Sequence, residues 1–181
     1  MTDAIGYEVA KCVNLVDLQL DFCTKLSKGS LQAMASNCLD LVVLSMRECA
    51  VSDSFLRALF VDLDAPSRVR RRALHTLIIS KCNLLSERAA DYLCFGEGLR
   101  VLDISKCEFL TSSLGLRIAG SLPALKIFDI NGCPNLPRMP NLSTSHPSHH
   151  GGEDGAQSEG RAFELFLSEL FALLPSAIIR A

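Results

Sequence analysis

The stretch LRVLDISKCEFLT, residues 99–111, sets apolar Leu99, Leu102 and Ile104 in the spacing of a short buried strand, and Cys107 follows three residues later. The same order of apolar positions closed by a cysteine occurs five times. It runs through Leu15, Leu18, Leu20 and Cys23, then Leu41, Leu44, Met46 and Cys49, then Leu74, Leu77, Ile79 and Cys82. Leu99, Leu102, Ile104 and Cys107 follow, and last Leu125, Phe128, Ile130 and Cys133. The first positions lie 26, 33, 25 and 26 residues apart. A period of this length predicts stacked units, each too small to bury its own apolar edge and each closing the core of its neighbour.

Between the strand patterns the apolar spacing becomes helical. In SKGSLQAMASNC, Leu31, Met34 and Ala35 share a face, and Ser27 is placed to cap the first turn. VSDSFLRALF carries Phe55, Leu56 and Leu59, and LSERAADYLC carries Ala90, Leu93 and Cys94. TDAIGYEVAKC, ahead of the first strand, reads as a helix alone. The L-x-x-L-x-L-x-x-C order is that of a leucine-rich repeat. The predicted fold is therefore an α/β leucine-rich-repeat solenoid, with a curved parallel sheet on the concave side and helices on the convex side.

This register gives the cysteines a structural role. A chain that turns inside a solenoid must pair its turn backbone groups, and a small side chain with a weak S–H donor suits such a dry corner. Cys23, Cys49, Cys82, Cys107 and Cys133 are thus predicted to form a buried ladder. Cys12 and Cys38 each stand three residues before the next repeat's first leucine, and Cys94 takes the place of Ala35. All eight are expected to be buried and reduced, since the N-terminal stretch lacks the apolar core of a signal peptide. The expected compartment is cytoplasmic or nuclear.

Strand, turn cysteine, Thr or Ser, helix and a second cysteine together resemble the cysteine-containing leucine-rich repeat. That type is found in the F-box/LRR substrate receptors of ubiquitin ligases and in related mitotic-exit regulators. The resemblance covers residues 2–136, differing in that no F-box segment is read ahead of the repeats. It implies protein–protein recognition in ubiquitin-dependent degradation, with ligase components among the partners. Two other uses of such repeats remain open: a structural scaffold in a cytoskeletal or flagellar assembly, and a regulator that blocks an enzyme.

Charge and motifs narrow the chemistry. A formal net charge of −2 gives no basic field for nucleic acid, and no apolar run is long enough to span a membrane. No Gly-rich phosphate loop, nucleophile elbow, H-E-x-x-H or C-x-x-C occurs, so neither enzyme activity, cofactor nor metal is expected. His75 reads as a surface residue. His146, His149 and His150 have no partnered cysteine or carboxylate and are not read as a metal site. What remains is a surface. Residues between the buried leucines point to the concave face, giving the columns Gln19, Ser45, Ile78, Asp103, Asp129 and Asp21, Arg47, Ser80, Ser105, Asn131, with Phe22, Glu48, Lys81 and Lys106 beside them. These are the candidate partner-binding residues of a chain expected to be a monomer on its own.

Three regions result: repeats over 1–136, a flexible Pro/Ser/His/Gly insert over 137–160, and a C-terminal helix with part of a further strand over 161–181. The long second unit holds Arg68, Arg70, Arg71 and Arg72, read as a solvated loop, with contact to an acidic partner or a nuclear-import tag as the alternative. The C-terminal helix carries an apolar stripe of Phe163, Phe166, Leu167, Leu170, Phe171 and Leu174. Covering the open end of the core is its favoured role, and partner docking the alternative. PSAII after it echoes PALKI at 123–127 and suggests the start of a sixth strand.

Overall fold

The computed structural model describes residues 2–61, 73–137 and 153–181, and of residues 153–160 it gives only the backbone. Among these residues helices and strands alternate: α1 (Asp3–Val9), β1 (Asp17–Gln19), α2 (Lys28–Asn37), β2 (Val43–Ser45), α3 (Asp53–Phe60), β3 (Thr76–Ile78), α4 (Ala89–Leu93), β4 (Val101–Asp103), α5 (Ser112–Ser121), β5 (Ile127–Asp129), α6 (Glu153–Leu173) and β6 (Ile178–Arg180). The fold is α/β. Its six strands form one all-parallel sheet in the order β1-β2-β3-β4-β5-β6.

Parallel strands laid down in chain order, with crossovers of one hand, put their connecting helices on a single face. Each helix packs against the next, from α1 on α2 through α5 on α6. The middle row of the strands, Leu18, Leu44, Leu77, Leu102 and Phe128, is buried beneath them, while the outer strand positions are mostly half-buried or exposed. Parallel sheets are ordinarily covered on both faces; this one has a covered face and an open one.

The helices close the core with the residues their spacing selects: Leu31, Met34 and Ala35 from α2, Phe55, Leu56 and Leu59 from α3, Ala90 and Leu93 from α4. Ser27 caps α2, accepting from Ser30 N at 3.3 Å, and Thr111 caps α5, accepting from Leu114 N at 3.5 Å. Carboxylates tie successive units together. Asp3 accepts from Ser27 N at 2.6 Å and Ser30 Oγ at 2.7 Å, and Asp53 accepts from Ser86 N at 2.9 Å and Ser86 Oγ at 2.5 Å. The backbone bond from Ser27, and then the hydroxyl bonds, hold the Asp3 carboxyl below its usual range.

At the C-terminal end three expectations change. Helix α6 starts at Glu153, inside the segment read as a flexible insert. Its buried stripe holds Phe163, Phe166, Leu170 and Leu174, but Phe171 is 50% exposed, since it lies about 100° round the helix from Leu170. The PSAII echo is one residue out of step. β6 pairs with β5 as Ile127↔Ile178 and Phe128↔Ile179, which brings Ile179 into the buried row; a slip of one would turn it to the open face. α6 lies against α5, where Gly115 admits the Phe166 ring so closely that a Cβ at 115 would stand 3.3 Å from it.

Candidate partner-binding face

The face is shaped by the turns that follow each strand. The residue just before each turn cysteine is left-handed: Phe22 (φ 62°), Glu48 (53°), Lys81 (55°), Lys106 (56°) and Gly132 (70°). Only the last is glycine, so the other four hold a conformation that costs an L-residue roughly 1–2 kcal/mol. The bend aims each N–H at the next rung: Phe22 N donates to Arg47 O at 2.8 Å, Glu48 N to Ser80 O at 3.0 Å, Lys81 N to Ser105 O at 2.9 Å and Lys106 N to Asn131 O at 2.9 Å. Along this downstream edge Phe22 is 66% exposed, and Lys81 Nζ pairs with Glu48 Oε1 at 3.1 Å.

Behind the bend the thiols run back the other way. Cys49 Sγ donates to Leu20 O at 2.9 Å, Cys82 to Met46 O at 3.3 Å, Cys107 to Ile79 O at 3.4 Å and Cys133 to Ile104 O at 3.3 Å. Each acceptor is the last core residue of the preceding unit's strand pattern. Burial pushes the Cys49 thiol up to about 11 and those of Cys82 and Cys107 up to about 12, and raises that of Cys133. Groups so protonated are poor nucleophiles at neutral pH.

The expectation that all eight cysteines are buried does not hold. Cys38, Cys49, Cys82, Cys107 and Cys133 are; Cys23 and Cys94 are half-buried and Cys12 is exposed. Cys23 sits on β1's unit, at the edge of the described sheet. Cys12 and Cys94 follow helices at the surface, their sulfurs nearest Glu8 O at 3.8 Å and Arg117 O at 3.9 Å.

The strand register brings Gln19, Ser45, Ile78, Asp103 and Asp129 into one row, and adds Arg180 to it. Asp21, Arg47, Ser80, Ser105 and Asn131 follow two residues on. Arg47 reaches from Asp21 (3.9 Å) to Asp103 (3.7 Å), and Arg180 stands 3.7 Å from Asp129. Two predicted surface residues are not on the surface: Ser45 is 5% exposed and Ser80 8%. Both are short side chains among longer neighbours, and Ser45 Oγ donates to Asp21 Oδ1 at 2.6 Å. The acids also brace the turns. Asp103 Oδ1 accepts from Ser105 N at 3.0 Å and Ser105 Oγ at 2.6 Å, and Asp129 Oδ1 accepts from Asn131 N at 3.2 Å.

Sequence reasoning missed a row. Asp17, Val43, Thr76, Val101, Ile127 and Ile178 open the strands in mutual register, two residues before the Gln19 row and therefore on the same face. The period-two rule that found the second row finds this one when carried two residues upstream. It makes the face far more apolar than its other columns suggest.

Elsewhere a cavity of about 320 Å³ beside the last turn is lined by Gly132, Cys133, Leu136, Phe163, Phe166 and Ala181 among others, with no acid–base pair among the described residues of its wall. No three His, Cys, Asp or Glu side chains converge as a metal site among the described residues, and no helix there is long and apolar enough to cross a membrane. Arg68, Arg70, Arg71, Arg72, His146, His149 and His150 lie outside the described residues. No protein-family model matches the chain, and comparison with curated proteins finds no match.

Proposed function

We propose that the chain is a leucine-rich-repeat solenoid that recognises a protein partner through the open face of its sheet. The observation that carries this is the six-rung parallel sheet left bare on one side, its side chains held in straight rows by register. Apolar Val43, Ile78, Val101, Ile127 and Ile178 lie there among paired charges, the composition of a surface that buries on contact. The resemblance of the repeat type makes it the substrate-binding part of an F-box/LRR ubiquitin-ligase receptor, acting in the cytoplasm or nucleus without catalytic chemistry of its own.

Affinity purification of the tagged full chain with mass spectrometry tests both levels. Partners retained by the wild type and lost by Ile78→Glu, with an unchanged circular-dichroism spectrum, support recognition through this face. A ligase adaptor in the same eluate supports the receptor role. Partners without an adaptor overturn that role and leave recognition standing; partners indifferent to Ile78→Glu overturn the face.

A further inference from the structure

From the geometry of the overlooked row, and resting on the recognition reading above, we infer that the partner presents an amphipathic α-helix of about 13 residues, acidic along one flank and laid across the strands. Its apolar side meets the stripe of Val43, Thr76, Val101, Ile127 and Ile178.

Spacing selects the helix. Neighbouring strands lie about 4.8 Å apart, so this stripe offers a site every 4.8 Å over about 19 Å. A helix presents one face every 5.4 Å, by steps of 4.5 and 6.0 Å, and about 13 residues cover the stripe with a drift of about 2.4 Å. An extended peptide repeats one face every ~6.7 Å and slips by about 7.6 Å over the same four steps, more than a full rung. Only the helix stays in step.

Charge selects its flank. On the upstream edge of the stripe His75, Arg100 and Lys126 occupy consecutive rungs: Arg100 N donates to His75 O at 2.8 Å and Lys126 N to Arg100 O at 2.7 Å. Arg100 and Lys126 are exposed, and among the described residues neither has a carboxylate within ion-pair distance. Like charges one rung apart repel, and nothing in the described fold offsets them. On the downstream side stand Asp103 and Asp129, already tied to their own turns and to Arg47 and Arg180. A helix with carboxylates toward Arg100 and Lys126 neutralises the unpaired edge, while the reverse orientation sets its acids against Asp103 and Asp129.

The test selects binders to the full chain from two peptide libraries, hydrocarbon-stapled helical 14-residue peptides and unconstrained linear peptides of the same length. Affinity is then read by fluorescence anisotropy. Stapled binders with apolar residues at i, i+3 or i+4 and i+7 and Asp or Glu on one flank are expected. Val101→Asp should abolish their binding. The double variant Arg100→Glu, Lys126→Glu should weaken it by at least about tenfold and restore it for a peptide with its acidic flank changed to Lys. A far-UV spectrum checks that each variant is folded. Linear binders that use the stripe but do not become helical, or helical ones indifferent to the charge reversal, overturn the helix inference and leave the recognition face intact. Binders indifferent to Val101→Asp, or none above an unrelated control domain, overturn the face as well.

Discussion

Raising the pH from 8 to 10 should destabilise this protein through its cysteine ladder. The unfolded thiols take their ordinary value of 9.0, whereas in the fold Cys49 is held up to about 11 and Cys82 and Cys107 up to about 12. The folded state thus keeps protons that the unfolded chain releases. Stability from these groups is complete below about pH 9 and falls as the pH climbs toward the folded values. At pH 10 each of the three removes on the order of 1 kcal/mol, together a few kcal/mol, a substantial part of the 5–15 kcal/mol that holds a typical domain. Cys133 acts in the same direction. Urea melts at pH 8, 9 and 10 measure it; with a slope of about 2 kcal/mol/M the midpoint should drop by about 1–2 M. Lysines and tyrosines also titrate here, so the ladder's share is isolated with Cys107→Ala. This variant is less stable at pH 8 but should lose on the order of 1 kcal/mol less than wild type between pH 8 and 10. An identical loss in the two proteins refutes the reasoning.

Leu102→Ala empties a fully buried position in the middle row and should cost ~2–5 kcal/mol, whereas Gln19→Ala on the open face should stay within about 0.5 kcal/mol; equal effects in denaturant melts reject the facing assigned to the two rows. Lys106→Val places a β-branched residue at φ 56° and should lose roughly 1–2 kcal/mol, while Lys106→Asn, which tolerates that region, should melt at or above the wild-type temperature. Leu170→Asp buries a carboxylate in the α5–α6 contact and should give aggregates in size-exclusion chromatography, while Phe171→Asp, half-exposed one residue away, should elute as wild type does.

The covered side of the sheet was legible because it obeys two simple periods. Leucines two and three apart mark rungs, helical spacing marks the residues laid over them, and five repetitions remove the ambiguity a single copy would leave. The turn conformation was hidden, because Phe22, Glu48 and Lys81 have no side-chain reason to be left-handed. Their φ is imposed by the need to aim an N–H at the next rung, and only Gly132 betrays it by residue type. The burial of Ser45 and Ser80 was hidden for a similar reason. Alternation fixes the direction a side chain takes but not the length of its neighbours, and Ser45 is enclosed by an aspartate 24 positions away in the chain. The start of α6 at Glu153 was obscured because the Pro-, Ser-, Gly- and His-rich composition of the stretch from Pro134 to Gly160 runs across it.

The turns and the open face form one mechanical system. Each of the four non-glycine left-handed residues donates its N–H to the carbonyl of Arg47, Ser80, Ser105 or Asn131, in the row two residues past the Gln19 row. Behind these turns the thiols of Cys49, Cys82, Cys107 and Cys133 each donate to the strand end of the unit before. A rung is therefore held forward by a strained amide and backward by a neutral thiol. A change in one turn is passed to the face one rung away on either side. This gives a reason for four non-glycine residues to keep a costly conformation: the register they enforce is what keeps Val43, Thr76, Val101, Ile127 and Ile178 in a straight line. A partner that reads spacing across the strands depends on that line more than on any single contact, so loosening a turn should weaken its binding without touching a residue of the stripe.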